Sequence, residues 1–423
     1  MSATPSIVIG KEGFGIKNGN LLGYYRADDG IYVARQFTAT RGGGTNGTFV
    51  NSSGLIEVAA SPNLPRIDFS SGSKAVLIEP SAQNLLLRSE EFDDGYWTKN
   101  NATISANATA APDGATTADK IVAASGTVNA NVVRQNITIS ATAQTISVFL
   151  KQGEFTWSRV RIFDRRDSTG YSLFINLATG ELGAIPAGTT AAISIAANGF
   201  YRVQFSIPAT VVVFSTECDV YIGPASSDGV VEVSGDGVKG IFAWGVQLET
   251  GAVATSYIPT TTGTITRNAD VITLANASEY IGQTEGTLYA EVDVRTFTNT
   301  GVFLSISDGT SSNRIQIYKF TNGQIYADRI SATQSALTSI TTNVLSAGIY
   351  KIAFAYQSGD SALFINGIQI GSNATQTFTF GTIDKINVGA RFDNTQIFND
   401  RIRAAAIYTT RLSDAQLIDM TWQ

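Results

Sequence analysis

Eleven Asx-Gly dipeptides punctuate the 423-residue chain, at positions 18, 29, 46, 94, 113, 198, 228, 236, 308, 322 and 366. Such a pair suits a two-residue hairpin turn, because both of its residues tolerate positive φ. Short runs of alternating apolar and polar residues flank several of the pairs. Arg314 to Tyr318 and Gln324 to Ala327 bracket Asn322-Gly323, and Leu363 to Ile365 and Ile368 to Ile370 bracket Asn366-Gly367. Both patterns predict β-hairpins. Helical periodicity is nearly absent. The exception is Ser413 to Met420, where Ser413 can N-cap, Gln416 sits at the capping-box position, and Leu417 and Met420 share a face.

Composition narrows the chemistry. The chain has no His, one Cys and two Met, and 15% of its residues are charged, against about 25% in an average globular protein. Without His there is no Ser-His-Asp machinery and no His-ligated zinc. The single Cys218 excludes an intramolecular disulfide and reads as a small apolar strand residue. A net charge of −6 leaves no basic stripe for nucleic acid. Apolar runs such as Thr210 to Ser215 are too short to span a bilayer, so no membrane insertion is expected. Met1 to Pro5 lacks the charged start and apolar core of a secretory signal. Synthesis in a cytoplasm, with release by lysis, is the expectation.

Three segments emerge: residues 1–83, Gly-rich with scattered apolar runs; 84–267, one compact β pattern; and, past a Thr- and Pro-bearing connector, 275–423, a second. The central segment opens with Asn84-Leu85-Leu86-Leu87-Arg88-Ser89-Glu90-Glu91-Phe92 and Tyr96-Trp97-Thr98-Lys99. It continues with Ala111-Pro112-Asp113-Gly114 and closes with Trp244-Gly245-Val246-Gln247-Leu248-Glu249 and Ser256-Tyr257-Ile258-Pro259. This ordered set resembles the head spike fibre domain of bacteriophage structural proteins and the jelly-roll carbohydrate-binding modules similar to it. The last segment, with Gly286-Thr287-Leu288-Tyr289-Ala290-Glu291-Val292, Ile386-Asn387-Val388-Gly389 and Ile402 to Asp414, resembles a laminin-G or concanavalin-A-like sandwich. Together these imply an all-β chain of two antiparallel jelly-roll-type β-sandwiches, preceded by an irregular β-rich N-terminal segment that anchors and assembles the chain.

Candidate site residues follow. A pyranose face packs well on an aromatic ring, and aromatic side chains also serve cores. Trp244 lies in the alternating Ile241 to Trp244 stretch and reads as core, whereas Trp157, after Gly153-Glu154, reads as exposed. Trp157, Arg159, Tyr171, Asp167 and Tyr201 form the expected carbohydrate site. The carbohydrate-binding-module resemblance implies a structural calcium where first and last strands meet, with Glu91, Asp93, Gln247 and Glu249 as its oxygen ligands; otherwise no cofactor is expected. Glu291 and Asp293 lie at i and i+2 on a strand, a spacing that retaining glycosidases of the concanavalin-like fold use with a third acid. Here Val294-Arg295-Thr296-Phe297 follows and supplies none.

The expected function is non-enzymatic: a virion head fibre, tail fibre or decoration protein on the particle surface. Its expected partners are capsid or tail proteins and cell-surface or mucosal glycans, and it is expected to be a homo-oligomer, a trimer. A polysaccharide depolymerase and a bacterial cell-surface lectin are the alternatives.

Overall fold

The computed structural model describes the chain except residues 1–4, 6, 11–15, 18–19, 27–31, 43–45, 141, 166–167, 209–216, 332–333, 374–376 and 423. The fold is all-β, two antiparallel β-sandwiches of jelly-roll type. One α-helix, Asp414–Thr421, carries the expected capping box, with Ser413 accepting from the Gln416 amide and Gln416 accepting from the Ser413 amide. No helix among the described residues is long and apolar enough to cross a membrane.

The chain divides into two compact units, one of residues 1–46, 59–81 and 268–423, the other of residues 47–58 and 82–267. In the first unit an eleven-stranded sheet faces a seven-stranded one. Leu288, Val292, Phe354 and Ile407 from the larger sheet meet Leu304, Ile306, Ile317 and Ile386 from the smaller, all of them fully buried or nearly so. The other face of the larger sheet is rich in alanine. Ala353, Ala355, Ala404 and Ala406 leave room for Leu417 of the helix to pack there.

The first 81 residues do not stand apart as the sequence reading has them. Ile7–Gly10 pairs with Asp400–Tyr408, placing Ile7 opposite Ile407. Ala75–Ile78 pairs with the same strand further along, and Thr38–Thr40 pairs with Val271–Leu274. Ile7, Ile9, Val76 and Ile78 are buried in the sandwich core. A sheet edge exposes unpaired amides and carbonyls, and a remote strand of the same chain can cover it. Nothing in local periodicity reports such pairing.

The second unit stacks two six-stranded sheets. One is centred on Glu217–Ala225 and Trp157–Asp164, the other on Gly240–Thr250 and Gln144–Lys151. Val160, Ile162, Val220 and Ile222 pack against Ile146, Val148, Val246 and Leu248 between them. Ala82–Asn84 pairs with Ile265–Arg267 and so joins the two ends of the module. Asn84, wholly buried, donates to the carbonyls of Val246 and Ile258 and accepts from the amides of Leu86 and Leu248. All the hydrogen-bonding capacity of its amide faces backbone groups, which is how a buried polar side chain avoids an unsatisfied cost.

Both hairpins form as predicted. At Asn366-Gly367 both residues take positive φ, 49° and 78°, the type I′ signature. At Asn322-Gly323 only the glycine does, with φ 83°. The same dipeptide therefore serves two turn types.

Candidate functional site

The strand Trp157–Asp164 alternates cleanly. Val160 and Ile162 enter the core, so Trp157, Arg159, Arg161 and Phe163 share the opposite face. Trp157 and Arg159 thus lie together as the sequence reading has them, but Trp157 is half-buried rather than exposed. Tyr171 does not join them. It pairs with Ile162 across the hairpin, and its ring packs against the sheet-to-sheet core. Tyr201 belongs to the other sheet, opposite Leu150, and a Cβ on Gly180 would fall 2.6 Å from its ring. Asp167 lies outside the described residues.

Of the expected calcium ligands, Glu91, Gln247 and Glu249 are held in other contacts. Glu249 is 1% exposed; its carboxylate accepts from the Thr255 amide and hydroxyl and from the Gln247 side chain. Gln247 accepts in turn from the Ile258 amide, at 2.6 Å. Glu91 pairs with Arg88 at 2.6 Å, and Asp93 is exposed. Among the described residues no three His, Cys, Asp or Glu side chains converge to hold a metal ion. Instead, Asn84, Ser89, Glu90, Gln247, Glu249 and Tyr257 clasp the start of the module to its end. Tyr257 donates to Glu90 at 2.9 Å and shares a 2.6 Å hydrogen bond with Ser89.

This clasp sets a pH dependence. Burial pushes the Glu90 carboxyl up to about 7 and the Asp119 carboxyl up to about 6. Both folded values lie above those of the unfolded chain, so the native state binds protons more tightly. That stabilisation is complete below about pH 4, declines as pH rises through the window up to 7, and is gone above it. At 1.36 kcal/mol per unit, the rise from 4.5 to about 7 makes Glu90 account for on the order of 3 kcal/mol. Thermal unfolding of the central unit is expected at a higher temperature at pH 5 than at pH 8. Glu90→Gln, which still accepts from Tyr257, should flatten most of that difference.

On the C-terminal sandwich, Glu291 and Asp293 share a strand face, but Asp293 is set among cations. Burial raises its pKa and Asp400 adds to the rise, while Arg401, Arg403 and Arg295 oppose it. Arg403 lies 3.8 Å away.

The outward face of the seven-stranded sheet is more unusual. Asn387, Ser305, Gln316 and Asp328 lie opposite one another on four successive strands, forming one polar row. Their exposures are 0%, 0%, 3% and 3%. The oxygens Ser305 Oγ, Gln316 Oε1 and Asn387 Oδ1 are buried without a hydrogen-bond partner. Such acceptors are uncommon and ask for a donor. The loop following Gly389 roofs one end: Asn387 donates to the Arg391 carbonyl and to Asn394, and Arg314 stacks 5.6 Å over Phe392. The other end meets an aromatic platform. Tyr318 and Tyr326 stack with centroids 5.3 Å apart and planes 16° apart, and the exposed Phe320 meets Tyr326 edge-on at 5.9 Å. Asn322 of the turn donates to the Tyr326 hydroxyl. The sequence reading identifies this hairpin but not the row, which exists only once the four strands are in register.

Comparison with known proteins finds one family match, over part of the chain. Residues 266–418 match the family described as the concanavalin A-like lectin/glucanases superfamily. No curated protein matches the chain. Among solved structures, the CBM40 of the Ruminococcus gnavus IT-sialidase is 19% identical, covering 33% of this chain and 84% of its own, with a TM-score of 0.30. Domain 4 of AbnA, an extracellular arabinanase from Geobacillus stearothermophilus in complex with arabinotriose, is 14% identical, covering 41% and 83%, with a TM-score of 0.30. A SAP-like pentraxin from Limulus polyphemus is 14% identical, covering 32% and 69%, with a TM-score of 0.25.

Proposed function

We propose that this chain is a non-enzymatic glycan-binding structural protein of a bacteriophage virion, a head fibre, tail fibre or decoration protein. The observation that carries the glycan reading is the Tyr318–Tyr326 platform with the exposed Phe320 at its edge. A pyranose face would rest on the stacked Tyr318 and Tyr326 rings, beside the exposed Phe320 and Asn322. The match of residues 266–418 to a lectin-containing superfamily supports this reading. The virion assignment rests on the head-spike-fibre resemblance of the central segment and on the low-charge, His-free composition. A non-enzymatic role agrees with the arginines around Asp293, which leave that carboxylate inside a charge network rather than free to attack a sugar.

The protein would be made in the host cytoplasm, released by lysis and displayed on the particle as a closed homo-oligomer, a trimer, docked to capsid or tail proteins. Per-site affinity would be weak, on the order of millimolar to tens of micromolar, with avidity supplied by copy number.

Host-cell adsorption and glycan-array binding of the purified chain test this reading. The Tyr318→Ala/Tyr326→Ala variant should lose at least tenfold in glycan signal while its central unit melts as before. Light scattering should give a multiple of 44.8 kDa. Full binding by the double variant, or hydrolysis of the bound polysaccharide, would overturn the assignment.

A further inference from the structure

The central sandwich carries a feature that the Tyr318–Tyr326 platform does not explain. Arg159 and Arg161 stand at i and i+2 on one strand, on the face turned away from the core. Arg159 is 6% exposed, yet its Nε is buried without a partner, and among the described residues its guanidinium has no ion pair. Burial, with Arg161 beside it, draws its pKa down to about 10. Glu232, exposed on a nearby loop, pulls the other way without bonding to it. An isolated buried charge opposes folding, and a chain bears such a cost where a ligand supplies the counter-charge.

Arg161 is held differently. Its guanidinium lies 4.8 Å from the Phe163 ring and 5.3 Å from the Tyr221 ring. It rests on Gly170, where a Cβ would come within 2.2 Å of Nη2. The glycine and the two rings orient the planar group, and no acid among the described residues takes it up as an ion pair. Trp157 continues the face, half-buried, with the small Ala225 opposite it on the neighbouring strand. The order along the strand is therefore an aromatic plate, a buried guanidinium fork and a ring-braced guanidinium. Asp219, the nearest acid on the adjoining strand, is engaged by Arg165 at 2.8 Å and by the Asn136 amide.

The geometry points to a second binding site on this face, one that takes carboxylated sugars: Arg159 and Arg161 grip the carboxylate and Trp157 stacks on the ring that carries it. A guanidinium matches a carboxylate bidentately, a geometry that lysine cannot reproduce. The site lies on the other unit from the Tyr318–Tyr326 platform and stands or falls independently of it.

Calorimetric titration of the full chain tests the proposal, with oligogalacturonate, sialyllactose and a carboxyl-reduced oligogalacturonide as probes. At least one carboxylated probe should bind, and the reduced one should bind at least tenfold more weakly. Response to oligogalacturonate alone assigns the site to uronic acids, and response to sialyllactose alone assigns it to sialic acids. Arg159→Gln should lower affinity at least tenfold while the melting temperature holds or rises, because an unpaired buried charge has been removed. Arg161→Gln and Trp157→Ala should each weaken binding with little change in melting. The Tyr318→Ala/Tyr326→Ala variant should bind the carboxylated probe as the unmodified chain does, which separates this site from the one on the C-terminal sandwich. The inference is overturned if no carboxylated probe binds, if the reduced sugar binds equally, if Arg159→Gln and Arg161→Gln both retain full affinity, or if Arg159→Gln lowers the melting temperature by many degrees.

Discussion

Replacing Arg66 with Met should destabilise the C-terminal sandwich by about 3–5 kcal/mol, the usual cost of removing one partner from a buried ion pair. Arg66 is 0% exposed and pairs with Glu79 at 2.7 Å and with Asp270. Arg41 reaches the other oxygen of Asp270 at 3.0 Å, and the Glu79 amide donates to the same carboxylate at 2.9 Å. Burial alone would lower the pKa of Arg66, but Asp270 and Glu79 hold it above its ordinary value. Without Arg66, the buried carboxylates of Glu79 and Asp270 each lose an ion-pair partner. For a unit of this size the loss corresponds to roughly 10 °C in melting temperature. Scanning calorimetry should show the transition of this unit falling while that of the central unit stays in place. Adding Glu79→Gln to the variant should recover part of the loss, because one uncompensated charge is then gone. An unchanged transition would mean that the cluster contributes nothing net.

Trp244→Ala is the second large effect, about 3–5 kcal/mol, the range for truncating a buried aromatic side chain. Trp244 is 1% exposed. It meets Phe149 edge-on at 5.4 Å and Tyr257 at 4.7 Å, and its Nε1 donates to the Thr117 hydroxyl at 3.1 Å. Its cluster, with Ala111, Ala118 and Phe200, is separate from the core between the two six-stranded sheets. Few neighbours can relax into the space left by an indole, so the residual cavity adds to the lost transfer energy. The same rings support Tyr257, so the variant should also loosen the Glu90 clasp and weaken the pH dependence described above. Urea unfolding should show an earlier midpoint for the central unit with an unchanged slope. A shift below about 1 kcal/mol would mean that the cluster collapses onto the gap.

Much of the architecture is local and therefore readable in the residues alone. The Asx-Gly pairs, the period-2 runs around them and the Ser413–Gln416 capping box each act within a few residues, and the hairpins and the helix appear where those signals lie. Trp244 as core and Trp157 beside Arg159 follow from strand alternation, which is also local. Register is not. Tyr171 and Trp157 sit on paired strands, but pairing Tyr171 with Ile162 sends its ring to the opposite face, and a shift of one residue would have reversed that outcome. The polar row of Asn387, Ser305, Gln316 and Asp328 spans four strands drawn from some 80 residues of chain, so no stretch of sequence displays it. The N-terminal strands are bound into the C-terminal sandwich by pairings such as Ile7 with Ile407 and by the ion pair of Arg66 with Asp270. Sequence alone determined which segments are strands and which faces they offer; tertiary structure decided which faces meet, because strand pairing and buried charge act between residues that are distant along the chain.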